Sequence, residues 1–169
     1  MKVRSMDEAG GIRRTSGQEG ASTATRRMRE LDKAEALRLL ATVSLGRIVF
    51  TRHALPAVRP VNHLVEAEDV IVRIHDDGAL ASLVVPADGP GVVVAYEADA
   101  IDPVTHLGWS VVVTGYACPV ADAEDAARFA TLLRPWVGRS MARALRIRPD
   151  LVTGFRLEAQ TLPDPVTQR

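Results

Sequence analysis

Between Gly46 and Ile74 three β-like runs follow one another with almost nothing between them, and this limits the possible folds more than any other feature. "GRIVFTR" is β-branched and aromatic, and "HALP" turns it. "AVRPVNHLVE" then runs to the acidic turn "AED", and "VIVRI" follows. Turns this short leave no room for a crossover helix, so the three strands form an antiparallel meander. The middle run holds an anomaly. "PAVRPVNH", residues 56 to 63, carries two prolines, and each removes a ladder donor from its strand. Either this is an edge strand, or its backbone and side chains are left to hold a ligand.

Ahead of the meander, "LDKAEALRLLATV" predicts a helix. Asp32 with Glu35 three residues on has the form of a capping box, and Leu37, Leu40 and Ala41 follow at helical spacing. Gly46 is expected to end that element. After the meander come a short helix-like segment from Gly78, "GALASLV", and two strands, "GVVVAYEAD" and "GWSVVVTGYACPV", with the polar loop "AIDPVTHL" between them. A second helix, "DAEDAARFATLL", has Asp122 as N-cap and Ala126, Phe129, Leu132 and Leu133 on one face. The basic stretch "RPWVGRSMARALRIRPD" reads as irregular, and "LVTGFRLEA" as a last strand. Strands outnumber helices and seldom alternate with them, which disfavours a doubly wound parallel sheet. The expected fold is mainly β, a six-stranded antiparallel barrel with flanking helices.

Residues 1–29, rich in Gly, Ser, Thr and Arg without apolar periodicity, are expected to be a disordered tail. Residues 30–159 are the expected domain and 160–169 a loose C-terminal tail; a chain of 169 residues suits one domain with a full core. Lys plus Arg and Asp plus Glu balance at 21 each, so no basic field calls for nucleic acid. No apolar run approaches the roughly 18 residues of a membrane span. The first residues also lack the apolar core of a signal peptide. One cysteine, Cys118, excludes an internal disulfide and reads as a small buried hydrophobe. A reducing, cytoplasmic location is the expectation.

Familiar chemistries are missing. There is no G-x-x-x-x-G-K-[ST] or G-x-G-x-x-G phosphate cradle and no G-x-S-x-G elbow. His53, His63, His75 and His106 do not pair at helical spacing and have no second cysteine to join them, so no metal is expected. His53 and His106 fall in turns. His63, beside Asn62 in a strand, is a candidate for a cavity. Glu97 closes the run "VVVAYE" and reads equally as solvent-facing or cavity-facing. Trp109 and Trp136 suit core anchors, or less often lids over a planar ligand.

Together, "LLATVSLGRIVF", "LPAVRPVNHLVEAEDVIVRI", "VVVAYEADAIDPVTHLGWSVVVTGYACPV" and "RIRPDLVTGFRL" resemble the pyridoxamine 5′-phosphate oxidase-like family of flavin-binding split β-barrels. The resemblance runs from residue 31 to about residue 158 and rests on an ordered set. A helix leads to G-R at a strand start, P-V-N in the next strand, an E-x-D-x-x-D-P loop and G-W-S-V-x-V-x-G. It implies a six-stranded antiparallel split barrel of the FMN-binding type, and a homodimer with two flavin sites at its interface. The implied activity is FMN-dependent oxidoreduction of a small or planar substrate. The alternative is a non-catalytic dimer that binds flavin, deazaflavin or haem, or has no cofactor.

Carried onto this chain, the resemblance sets Arg59, Val61 and Asn62 against the ring edge and the ribityl or phosphate groups. It sets Arg73 and Ile74 where the next strand passes the cofactor, and Gly78, Ala79 and Leu80 at the phosphate turn. Trp109 and Ser110 begin the strand near the partner's flavin, and Arg156 is the basic residue of the last strand. No catalytic side chain is implied, because the flavin performs the redox step. Asp76 and Asp77 precede the phosphate turn, so Arg59 or Arg73 has to offset their charge. By strict alternation Arg59 and Asn62 fall on opposite faces, so one ligand touching both calls for a bulge or twist near Pro60.

Overall fold

The computed structural model describes residues 26–74, 80, 89, 91–133 and 143–160. Gly78, Ala79, Asp76, Asp77, His75 and Trp136 lie outside the described residues, as do most of both expected tails and nearly all of the helix-like segment after Gly78. The elements are β1 (Arg26–Glu30), α1 (Lys33–Leu40), β2 (Leu45–Arg52), β3 (Leu55–Glu66), β4 (Asp69–Ile74), β5 (Val92–Ile101), β6 (Gly108–Pro119), α2 (Ala123–Leu132) and β7 (Arg143–Ala159). Every ladder is antiparallel. Strands β2, β3, β4, β7, β6 and β5 close into a six-membered ring, and β1 adds to β7. No described helix is long and apolar enough to cross a membrane.

The ring follows from period-two alternation. Ile48 and Phe50, Val61 and His63, Val70 and Val72, and Val94, Tyr96 and Ala98 are buried, with outward neighbours between them. Helix α1 closes one end, adding Ala36, Leu37 and Leu40 to the same core. Its N-cap is Asp32, whose carboxylate accepts from the Glu35 N–H at 2.7 Å. The Glu35 carboxylate turns instead to Arg29, with two bonds of 2.9 Å, so only half of the capping box forms. Helix α2 lies on the outside of the ring, where Phe129 and Leu133 pack with Ile71 and Ala144. Cys118 is buried and free.

Four local expectations are corrected. Residues 26–29, assigned to the tail, belong to β1. They carry no apolar alternation because their order comes from pairing with β7 and from the ion pairs of Arg29 with Glu35 and Glu158. β7 starts at Arg143, well before Leu151. Arginines on its outward positions mask the alternation of the buried Leu145 and Ile147. Helix α1 ends at Leu40, whereas Gly46 lies inside β2, where a Cβ would strike the Tyr96 hydroxyl and the Glu97 carbonyl. Leu132, assigned to the apolar face of α2, is 59% exposed.

Candidate functional site

Strand β3 pairs with β2 from Leu55 to Asn62, but with β4 only from His63 to Glu66. The His63 N–H donates to the Ser44 carbonyl at 3.0 Å, so odd-numbered residues of β3 turn their backbone groups toward β2. Pro56 and Pro60 are even-numbered and face the other edge, along which no described strand pairs with residues 55–62. Their missing N–H groups therefore break no ladder bond. Val58 turns its N–H to the same edge. The anomaly in "PAVRPVNH" thus marks a strand edge that no described strand covers.

The β2–β3 ladder runs unshifted from Leu45 opposite Asn62 to Arg52 opposite Leu55. The bulge sought near Pro60 is not there. A register shift lies instead between β6 and β7, where Thr114 faces Leu151 and Gly115 faces Pro149, leaving Asp150 as the extra residue. Arg59 and Asn62 consequently stand on opposite faces. The Arg59 side chain is exposed, and among the described residues its guanidinium bonds only the carbonyl of its neighbour Val58, at 2.8 Å. Asn62 is half-buried on the outer face.

The other candidates disperse. Val61, Ile74, Leu80 and Trp109 are buried in the main core. Arg73 leaves the outer face of β4 and donates to the carbonyls of Ala130 and Leu133 at 3.3 and 3.2 Å, at the C-terminal end of α2. Arg156 faces Trp109 across the β6–β7 ladder, and its Nε is buried with no hydrogen-bond partner among the described residues. Ser110 is half-buried on the outer face, opposite Asp99. Within one chain, then, Arg59 and Asn62 stand on opposite faces of β3, Trp109 and Arg156 share a cross-strand pair, and Arg73 serves α2.

Two groupings carry more chemistry than their sequence signals indicated. On the outer face Arg47 bridges Glu97 at 3.1 Å and Asp99 at 3.3 Å, and Glu97 raises the Arg47 pKa. Glu97 is therefore an outward, ion-paired residue. Around this cluster the same sheet face exposes Val58, Val93, Tyr116, Leu151 and Phe155, an apolar surface of the kind that binds something. On the inner face, the Tyr96 hydroxyl lies 2.7 Å from Nδ1 of His63, and Nε2 of His63 lies 2.9 Å from the Leu40 carbonyl. Burial pushes the His63 pKa down and the Tyr96 pKa up. His63 is thus a satisfied core residue. Parity gives the signal for Tyr96, which shares its inward phase with Val94 and Ala98.

Comparison with known proteins agrees with the strand order. Residues 32–156 match the sequence profile of the pyridoxamine 5′-phosphate oxidase family, so β1 lies outside the matched part. An uncharacterized protein of Mycobacterium tuberculosis is 50% identical over 151 residues, 89% of this chain and 96% of that one. A Corynebacterium glutamicum crystal structure, provisionally named a pyridoxamine 5′-phosphate oxidase, is 30% identical. It superposes with a TM-score of 0.64 over 80% of this chain and 96% of its own. The FAD binding protein from Mycobacterium smegmatis is likewise 30% identical, with a TM-score of 0.57 over 77% of this chain and 98% of its own. A profile match spanning most of the chain, on a ring of six antiparallel strands, makes the chain a member of the pyridoxamine 5′-phosphate oxidase family with the split-barrel fold.

Proposed function

We propose that this chain binds FMN along the open edge of β3 and works as a flavin-dependent oxidoreductase on a small or planar substrate. The observation that carries the reading is the edge itself. A ligand lying along an edge, rather than on a face, meets side chains from both faces, so Arg59 and Asn62 can serve it without a bulge. The exposed guanidinium of Arg59 suits a phosphate, and the Val58 N–H that faces the edge suits an acceptor of the ring or ribityl chain. The Nε of Arg156, without a partner among the described residues, is a buried donor that an acceptor would satisfy. The similarity to an FAD binding protein supports the flavin class.

Bound there, the isoalloxazine would supply hydride transfer to or from the substrate. The chain's own residues would bind and orient: Arg59 by charge, Asn62 by its amide, the prolines by keeping the edge open. Arg59 and Arg156 stand at separate places in one protomer, so a single site using both β3 and the Trp109 strand needs two copies. The exposed apolar sheet face around Val58, Val93, Tyr116 and Leu151 suits their contact, giving a homodimer with shared sites.

The absorbance spectrum of the purified protein, followed by titration with FMN, tests this. Flavin bands are expected, and Arg59→Ala should weaken FMN binding about tenfold, or ~1.4 kcal/mol. Arg38→Ala, on the exposed side of α1, should leave it unchanged. Bleaching by reduced nicotinamide separates an oxidoreductase from a flavin store or sensor. Colourless protein that takes up no FMN at high micromolar concentration sinks the reading.

A further inference from the structure

His63 follows Asn62 directly in β3, but its side chain turns inward. A carbonyl only accepts, so Nε2, 2.9 Å from the Leu40 oxygen, carries the ring proton. Nδ1 is then the acceptor, and the Tyr96 hydroxyl donates to it at 2.7 Å. His63 also gives its backbone N–H to Ser44 at 3.0 Å. The last residue of α1, the middle of β5 and the residue before β2 are therefore all tied to β3 at one point, beside the proposed flavin wall.

This point is sealed. His63 is 2% exposed and Tyr96 fully buried. From β3 itself the Val61 carbonyl lies at 3.5 Å from the Tyr96 hydroxyl, and Val72 of β4 stands opposite His63 in the ladder. From β2, Gly46 leaves the space that the Tyr96 hydroxyl fills. Among the described residues no charged side chain bonds the ring. The charges that act on Tyr96 are Glu97 and Arg47, which pair with each other on the outer face.

We propose that the Tyr96–His63–Leu40 chain positions the Val61–Asn62 stretch of β3 for bound flavin, and that a second proton on His63 releases that stretch and the ligand with it. The proposal rests on the flavin reading above. An imidazolium has two N–H donors, so the Tyr96 hydroxyl would face a donor, and a cation would be buried with no counter-charge. Burial already holds the His63 pKa below its ordinary 6.5, so release belongs to the acid side of that value.

The test uses the full chain, as wild type, Tyr96→Phe and His63→Gln, each checked for folding by circular dichroism. FMN affinity is measured from pH 7.5 to 5, with riboflavin in parallel because the FMN phosphate titrates in the same range. Amide-exchange protection of residues 61–63 is followed without ligand. Wild type should lose at least tenfold in affinity across the range, for riboflavin as for FMN. His63→Gln, which keeps a donor for Leu40 but cannot titrate, should change by less than twofold for riboflavin. Tyr96→Phe removes the hydroxyl that opposes the second proton and should shift the loss to higher pH. Protection at residues 61–63 should fall with pH in wild type and hold in His63→Gln.

The same pH profile in wild type and both variants overturns the proposal and leaves the flavin reading standing. If His63→Gln does not fold, an unshifted profile in Tyr96→Phe overturns it. Exchange that behaves as expected in a protein that takes up no flavin at any pH supports proton control of β3 and overturns the flavin half.

Discussion

The two helices attach to the same barrel by different physics. α1 buries Ala36, Leu37 and Leu40, each 5% exposed or less, and its end meets His63 inside the ring. α2 buries Phe129, with Leu133 just beyond its end, and charges hold the rest. Arg128 forks onto Glu66 at 2.6 and 2.9 Å and reaches Asp125 at 2.7 Å. Arg146 reaches Asp69 at 3.1 Å and Asp125 at 3.2 Å. Both guanidinium groups lie against the Phe129 ring, at 4.4 and 5.9 Å from its centroid. Apolar burial is worth about 0.8 kcal/mol per methylene whatever the pH, while exposed ion pairs contribute about 0–1 kcal/mol each and are screened by salt. α1 is therefore part of the barrel, and α2 is an attachment to it.

The largest effects should separate the two. Leu40→Ala opens a cavity in the main core and should cost about 2–5 kcal/mol in global unfolding by urea or heat. Phe129→Ala should cost roughly 1–3 kcal/mol, because α2 can come away while the ring persists. Amide exchange would then show lost protection in α2 and little change in β5 and β6. Equal global losses, or α2 amides that stay protected in Phe129→Ala, would break the comparison.

Acid should divide them next. His63 is held neutral by burial, so as pH falls the unfolded chain takes up its proton first, near 6.5. The stability tied to α1 is thus complete above about pH 6.5 and declines below it. Arg128 holds the Glu66 carboxyl below its ordinary 4.5, so the α2 contribution is complete above about pH 4.5 and fades below that. Exchange measured against pH should show protection around His63 falling first, then that of α2. The reverse order would mean that charge, not burial, governs α1.

The same contrast explains what the sequence disclosed. Alternation marked the ring because its inner face is apolar, and the caps Asp32 and Asp122 marked both helix starts. β1 escaped because pairing, not burial, orders it, and the first part of β7 because outward arginines mask its buried Leu145 and Ile147. Among the candidate residues, position along a strand was legible, and alternation separated the faces of Arg59 and Asn62 but was not extended to the others. Val61, Ile74, Leu80 and Trp109 lie in the core, while Arg59 and Asn62 stand on opposite faces of β3. The uncovered edge of β3 was visible as two prolines of equal parity. Which neighbour is missing from it depends on where β4 stops, which no local signal in β3 records.

The smallest prediction tests whether α1 leans on charge at all. Lys33, at its first turn, reaches Glu68 at 2.7 Å, with both side chains more than half exposed. Glu68 sits in the β3–β4 turn with φ of 70°, next to Ala67 at 49°, so a tight primed turn is built here without glycine. Glu68→Gly removes the ion pair, worth about 0–1 kcal/mol, and relieves a left-handed residue, worth up to about 1 kcal/mol. If burial alone fixes α1, the relief wins, and Tm should rise by about 1–2 °C. Lys33→Ala, which removes only the pair, should change stability by less than about 0.5 kcal/mol. A fall in Tm for both variants would show that α1 shares the charge dependence of α2, and the division between the helices would then be one of degree.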